Sequence, residues 1–292
     1  MKKIAFYGLA SFIVLNLIAF ISLYFLGKSC FYKQQFIHNG VKETNFDYVV
    51  LGSSTGLTTL DTKLIDSLTG KKGLNISIDD SGLSSHYLML QQFYFSGKRT
   101  KKLILAVMPD DLENENPKLN GNDYRFLPHI NEDDVKTYFN EIDGENKIIY
   151  QTSKYMPLLA VSYFNTELFF PAVLSIFQPQ KRNLFDEKGN YSYPNVNSSK
   201  KLKRVIGRIK KIDFKNPYLN KIIDFCKVNR VNLILYQSPI YKTEIVFPDG
   251  LNCINQGSVF NDIHFFYDEI HVNKRGRKIC SEEFAKNSFF LN

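Results

Sequence analysis

The chain has 292 residues, of which 44% are hydrophobic and 23% charged, enough apolar material for one large or two modest packed domains and too much for a disordered chain. Its formal net charge of +8 is dispersed over basic stretches at 98–102, at 200–211 (Lys200, Lys201, Lys203, Arg204, Arg208, Lys210, Lys211) and at 274–278. No zinc-finger spacing, RNP pattern or basic zipper accompanies them, so no nucleic-acid partner is expected; the basic faces suit an anionic membrane or an acidic glycan.

Met1-Lys2-Lys3 is followed by 23 uncharged residues, Ile4 to Leu26, which as a helix reach about 34 Å and match a bilayer core. Residues 1–27 therefore read as a transmembrane anchor contacting lipid through 4–26. The run is longer than a signal-peptide core, and Leu26-Gly27-Lys28-Ser29-Cys30 offers no small-x-small cleavage site. Lys2 and Lys3 place the N-terminus in the cytoplasm, hence a single-pass protein of the inner (cytoplasmic) membrane whose remainder is periplasmic or otherwise extracytoplasmic.

Residues 28–45 read as a juxtamembrane linker, and 46–292 as one α/β domain. Asp47 to Leu51 predicts a buried strand running into the turn Gly52-Ser53-Ser54-Thr55-Gly56. Asp61 caps a predicted helix through Leu68, stopped by Gly70. Gly73 to Ile78 is a second strand, Ser84 or Ser85 caps a second helix, and Leu103 to Met108 is a third strand. Strands alternating with helices imply right-handed crossovers and a parallel sheet, with functional groups at the strands' carboxyl ends. From about 113 to 205 that rhythm is lost, and a large, mostly helical insertion is expected, with a helical stretch near 132–142. Within it, Leu158 to Phe177 is apolar, but Asn165, Glu167 and Pro171 argue for a cap helix or membrane-facing hairpin over a second span. The α/β pattern resumes with a helix over 216–229, a strand over 231–236, a loop-rich stretch over 238–267 and a last helix over 273–284.

Acyl-transfer enzymes set a weakly nucleophilic serine on a strand-to-helix turn, beside an imidazole base oriented by a carboxylate. Gly52-Ser53-Ser54 occupies such a turn, and the first amides of the following segment point where an oxyanion would develop. Gly52-Ser53-Ser54-Thr55-Gly56 also fits the Gly-x-Ser-x-Gly elbow, although it follows the domain's first strand, early for an α/β-hydrolase. Neither a Walker loop nor a dinucleotide fingerprint is present. Near the C-terminus, Asp268 stands three residues before His271, directly ahead of a helix capped by Asn273, a spacing that lets a carboxylate orient an imidazole.

These blocks resemble the SGNH/GDSL hydrolase superfamily. Gly52-Ser53-Ser54 corresponds to its Gly-Asp-Ser block, with Ser53 standing where Asp is common. Asp268-x-x-His271 corresponds to its last block, continued by Asn273 and Gly276 into a helix. The resemblance covers 45–112 and 216–287, and implies a three-layer α/β/α domain with a parallel sheet. It assigns Ser54 as nucleophile, His271 as general base and acid and Asp268 as orienter, with the Ser54 amide as one oxyanion donor. The second block's donor glycine falls at Gly82, though the spacing equally puts Asp80 there. The third block normally supplies Asn, where this chain has Pro109-Asp110-Asp111, and an ionised Asp cannot donate.

With its anchor and insertion, the chain looks most like the extracytoplasmic SGNH branch of alginate O-acetyltransferase-like and D-alanyl-lipoteichoic-acid-transfer-like proteins. That resemblance implies a serine esterase or O-acyltransferase, of acetyl groups above all, acting on a cell-envelope polysaccharide or acylated glycan, with a membrane acyltransferase as a further partner. The alternative is a catalytically silent SGNH-fold scaffold for glycan assembly.

No cofactor or metal is expected. Cys30, Cys226, Cys253 and Cys280 lack metal-ligand spacing, and an oxidising compartment would permit a pair among the last three without specifying it. His38, His86, His129 and His264 read as surface or core histidines, His264 close enough in sequence to share a cleft with His271. Asp110, Asp111 and Asn75 are candidate substrate-binding residues; the two aspartates either orient a sugar hydroxyl or cation, or cap their loop. The aromatics of 155–177 either stack on sugars or form core.

Overall fold

The computed structural model describes residues 1–195, 202, 206–250 and 252–291; Lys200, Lys201, Lys203 and Arg204 of the basic 200–211 stretch lie outside the described residues. The chain divides into two compact units, Met1–Lys42 with Lys118–Asn183, and Glu43–Pro117 with Leu184–Asn292.

The second unit is α/β. Five strands, β1 (Asn45–Gly52), β2 (Gly73–Asn75), β3 (Arg99–Ala106), β5 (Asn232–Gln237) and β7 (Cys253–Asn255), form a parallel sheet in the order β2-β1-β3-β5-β7. A small parallel pair, β4 (Arg208–Lys211) and β6 (Thr243–Val246), stands apart from it. Val49, Val50 and Leu51 of β1, like Leu103, Ile104 and Leu105 of β3, are fully buried. Such continuous apolar runs mark strands covered on both faces. The chain leaves β1 for β2 on one side and returns to β3 on the other, so β1 is the topological switch point, where open α/β sheets gather functional groups.

Helix Thr62–Thr69 starts and stops as its chemistry dictates. Asp61 accepts from the amides of Lys63 and Leu64, and Gly70 ends the helix in the left-handed conformation at φ 67°. Asn216 caps helix Pro217–Val228, and Asn273 caps helix Lys274–Ala285. Helix Leu83–Phe95 departs from expectation: its N-cap is Gly82, and Ser84 and Ser85 are buried inside the first turn. The missing cap arrives from elsewhere in the chain, for Asp111 Oδ2 accepts from the Leu83 amide at 2.6 Å.

The second strand is shorter than expected because Asn75 Oδ1 takes the Ser77 amide at 3.0 Å, although Ile76 and Ile78 still donate to Val50 and Gly52 of β1. The 238–267 stretch carries β6, β7 and the 3-10 turn Ile263–Phe265 rather than loop alone. Three residues suffice for β7 because it needs only to finish the sheet edge beside β5. All four cysteines are free thiols.

The first unit is helical. Helix Lys2–Gly27 is long and apolar enough to cross a membrane, with a mean hydropathy of 2.3. Residues after it turn through Lys33–Gln35 and a π-helical turn, Phe36–Gly40, with Tyr32, Phe36 and Ile37 buried. The 3-10 helix Asp123–His129 and helices Asp133–Glu141, Lys147–Thr152, Pro157–Tyr163 and Phe169–Phe177 follow in the same unit. The apolar 158–177 run is thus broken into two helices, each far too short to span a bilayer.

Candidate active site

Ser54 begins a short helix, Ser54–Thr59, immediately after β1, with Ser53 as its extended N-cap. Gly52 is required by close approach rather than by a left-handed turn: a Cβ there would lie 2.5 Å from the Ala106 carbonyl oxygen of β3. Gly56 is held as tightly, since its Cβ would fall 2.8 Å from Ser77 Oγ. Asn75 Nδ2 donates to the Gly56 carbonyl at 2.9 Å. Asn75 is fully buried, with Nδ2 donating to this turn and Oδ1 accepting from the Ser77 amide, so it braces the serine turn from below.

The partner loop is built by Asp268. Its Oδ1 accepts from the amides of Ile270 and His271 at 3.0 and 2.9 Å, an Asx-type turn that places the carboxylate inside the loop. Phe266 and Val272 close the loop as an antiparallel bridge. Buried Asn273 then locks the following helix: Oδ1 accepts from Arg275 and Gly276, while Nδ2 donates to the His264 carbonyl at 2.8 Å and to that of Phe266. Gly276 admits the Phe265 carbonyl oxygen, which would lie 2.4 Å from any Cβ.

These two constructions bring the distant residues together. His271 Nε2 lies 2.7 Å from Ser54 Oγ, and His271 Nδ1 lies 2.9 and 2.8 Å from the two Asp268 oxygens. An ionised carboxylate only accepts, so Nδ1 carries the proton towards Asp268, and Nε2 of the neutral ring accepts from the Ser54 hydroxyl. Burial alone would raise the Asp268 carboxyl, but the hydrogen bond from His271, the positive charge that ring carries when protonated, and the loop amides hold it below its ordinary value. His271 is buried and Ser54 half-buried.

A residue absent from the sequence reading joins them. Tyr193 stacks on Tyr267 at 4.3 Å between ring centroids and meets the His271 ring at 5.0 Å. The strap that carries it is pinned by Lys188, which accepts from the Asn75 amide through its carbonyl. Asn190 Oδ1 anchors the strap further by accepting from the Thr62 hydroxyl. Burial, then the charge of Asp268, pushes the Tyr193 phenol up to about 12, so it stays protonated. Nothing in Tyr191-Ser192-Tyr193 signals this role, because only the fold brings the strap to the histidine.

The remaining predicted residues divide. Ile78 donates to the Gly52 carbonyl, so the Asp79–Gly82 loop starts level with the serine turn. Gly82 is buried at the head of helix Leu83–Phe95, and Asp80 is exposed with φ 50°. Asp110 is exposed and ion-paired with Lys210, while Asp111 is buried as the distant cap of Leu83. Burial raises the Asp111 carboxyl to about 6, opposed in part by the Leu83 amide. Of the two readings held for these aspartates, loop capping describes Asp111.

His264 pairs with Asp262 on the surface at 2.7 Å. His86 is fully buried and meets Ser81 Oγ at 3.1 Å, and burial lowers its ring to about 3. In the first unit His38, His129 and Glu132 offer ligand atoms within 4.8 Å of one another. The His38 and His129 rings, however, are stacked at 4.6 Å with 26° between their planes. Their in-plane lone pairs therefore do not converge within coordination distance of one ion, and Glu132 accepts from His129 Nδ1 at 2.8 Å.

No family model matches the chain, and no curated protein matches it. The functional reading rests on the residues and their geometry.

Proposed function

We propose that the chain is a membrane-anchored, extracytoplasmic serine esterase or O-acyltransferase of SGNH type, acting on acyl esters, acetyl above all, of a cell-envelope polysaccharide. The observation that carries this reading is the continuous Ser54–His271–Asp268 hydrogen-bonded chain at the carboxyl end of the switch-point strand. The finer three-layer arrangement has support in the helix contacts. Helices Leu83–Phe95 and Pro217–Val228 touch each other, while Thr62–Thr69 and Lys274–Ala285 form a second touching pair. The substrate class and a partner membrane acyltransferase come from the family resemblance.

In this mechanism Ser54 Oγ adds to the acyl carbonyl while His271 Nε2 takes its proton, and Asp268 holds the resulting imidazolium. The Ser54 amide and Gly82 donate to the oxyanion. Collapse expels the alkoxide, which takes the proton from His271, and leaves the acyl group on Ser54. A glycan hydroxyl or water then delivers its proton to His271 and removes the acyl group by the reverse sequence. Tyr193 covers the imidazole and limits the orientations it can take.

The test is labelling of the full chain in detergent with a fluorophosphonate, comparing the parent with Ser54→Ala and His271→Ala. Labelling lost in both variants is expected. A folded parent that never labels would favour the silent scaffold, the reading supported by the absence of an Asn at 109–111.

A further inference from the structure

Helices Pro157–Tyr163 and Phe169–Phe177 leave large apolar side chains in the open. Tyr155, Leu159, Tyr163, Phe170, Ile176 and Phe177 are all exposed, Phe170 at 64% and Phe177 at 78%. Apolar surface on this scale marks an interaction face. What backs the face identifies its occupant. Both helices belong to the first unit and pack on the long apolar helix Lys2–Gly27. That helix turns Asn16, Ala19, Ser22, Leu23 and Leu26 inward, among them the small Ala19 and Ser22, and the second short helix buries the small Pro171, Ala172 and Ser175. Small residues facing one another are the packing mode of helices in lipid.

The depth of the contact can be read along the anchor. The Leu158 amide donates to Asn16 Oδ1 at 3.3 Å, and Asn16 lies about 15 Å before Leu26 along the helix axis, half a bilayer core. Wherever the anchor lies in hydrocarbon, Leu158 lies there too. The one residue between Tyr155 and Phe177 that is charged at neutral pH is Glu167. It sits in the turn between the short helices, where its carbonyl accepts from the Tyr32 hydroxyl, beyond the anchor's end and so at the level of the headgroups. Backbone groups in that turn are satisfied internally, Leu168 donating to Phe164 and Phe169 to Asn165. The contact also gives Asn16, a polar residue inside the anchor, its partner.

We infer that residues 155–177 form a re-entrant half-span: the segment enters the outer leaflet beside the anchor, reaches mid-bilayer depth at Leu158 and Leu159, and returns. Acyl chains of the bilayer cover its exposed face. The inference rests on the anchor spanning the membrane and is independent of the chemistry proposed for Ser54.

The chain contains no tryptophan, so single substitutions report depth without background. The full chain, reconstituted in phosphatidylcholine–phosphatidylglycerol vesicles brominated at shallow or deep acyl positions, is compared as Phe12→Trp in the anchor, Leu159→Trp and Phe170→Trp in the half-span, and Phe95→Trp on the α/β unit. Quenching by at least about twofold is expected for the first three, with Leu159→Trp responding most to deep bromines, and none for Phe95→Trp. Two half-span positions keep the test decisive should one variant misfold. Quenched Phe12→Trp with both half-span positions unquenched would overturn the inference, and blue-shifted but unquenched emission there would mean that protein covers the face. Unquenched Phe12→Trp would remove the anchor and the depth argument with it.

Discussion

Gly276→Ala sets intrinsic helix propensity against tertiary packing, and the structure decides the sign. Gly276 lies in the first turn of helix Lys274–Ala285, where alanine normally gains up to about 1 kcal/mol. Here the added Cβ would meet the Phe265 carbonyl oxygen at 2.4 Å, Val272 Cβ at 3.0 Å and Phe260 Cζ at 3.1 Å. The nearest of these is backbone and cannot rotate away, so helix and loop must separate by about 1 Å, an overpacking cost of roughly 1–3 kcal/mol. The net expectation is a loss of up to about 2 kcal/mol in chemical unfolding of the full chain, in place of the gain that helix propensity alone predicts. Because the same loop carries His271, a displacement near 1 Å should also slow fluorophosphonate labelling of Ser54 by about 100-fold. A Gly276→Ala variant as stable as the parent and labelling at the parent rate would refute the argument that this contact sets the histidine's position.

Two titrating aspartates supply further expectations. Asp111 has its folded pKa raised, to about 6, so folding favours its protonated form and this contribution to stability falls as pH rises from about 4 to 6. Asp111→Asn removes the dependence; whatever its constant offset, its stability relative to the parent should grow by up to about 3 kcal/mol between pH 4 and 7, and a flat difference would contradict the burial argument. Asp268 is shifted the other way, so it stabilises the fold above the ordinary carboxylate range and loses that contribution as pH falls through its depressed folded value. Asp268→Asn should therefore shed this acid-side pH dependence in unfolding experiments. It should also slow labelling by about 100-fold or more at neutral pH, because an amide can turn its donor towards Nδ1 and oppose the required tautomer. Unchanged labelling would remove Asp268 from the proposed mechanism.

Much of this architecture is local chemistry and therefore legible in sequence. Asp61 and Gly70 bound a helix because a carboxylate satisfies its first amides and a glycine tolerates left-handed backbone at its end. Asn216 and Asn273 act likewise. The apolar runs of β1, β3 and β5 announce buried parallel strands, and the uncharged 4–26 run announces a helix of membrane length. Ser54, Asp268 and His271 stood out because a glycine-bounded turn and an Asp-x-x-His loop are short-range patterns. Other features depend on partners far away in the chain. β7 is too short to show a period, Asp111 caps a helix 28 residues upstream, and Tyr193 reaches His271 only after its strap is pinned to the β2 region. The bracing roles of Asn75 and Asp111 were hidden for the same reason: a polar residue at a strand end looks alike whether it faces solvent or braces a turn, and burial decides between them.

By itself, the sequence determined where the chain bends, caps and turns apolar, since those choices are settled within a few residues by hydrogen-bonding groups and side-chain shape. Only the tertiary structure decided that Ser54 and His271 lie 2.7 Å apart, because that distance depends on two glycines, Gly52 and Gly276, that let separate pieces of backbone approach more closely than any side chain allows.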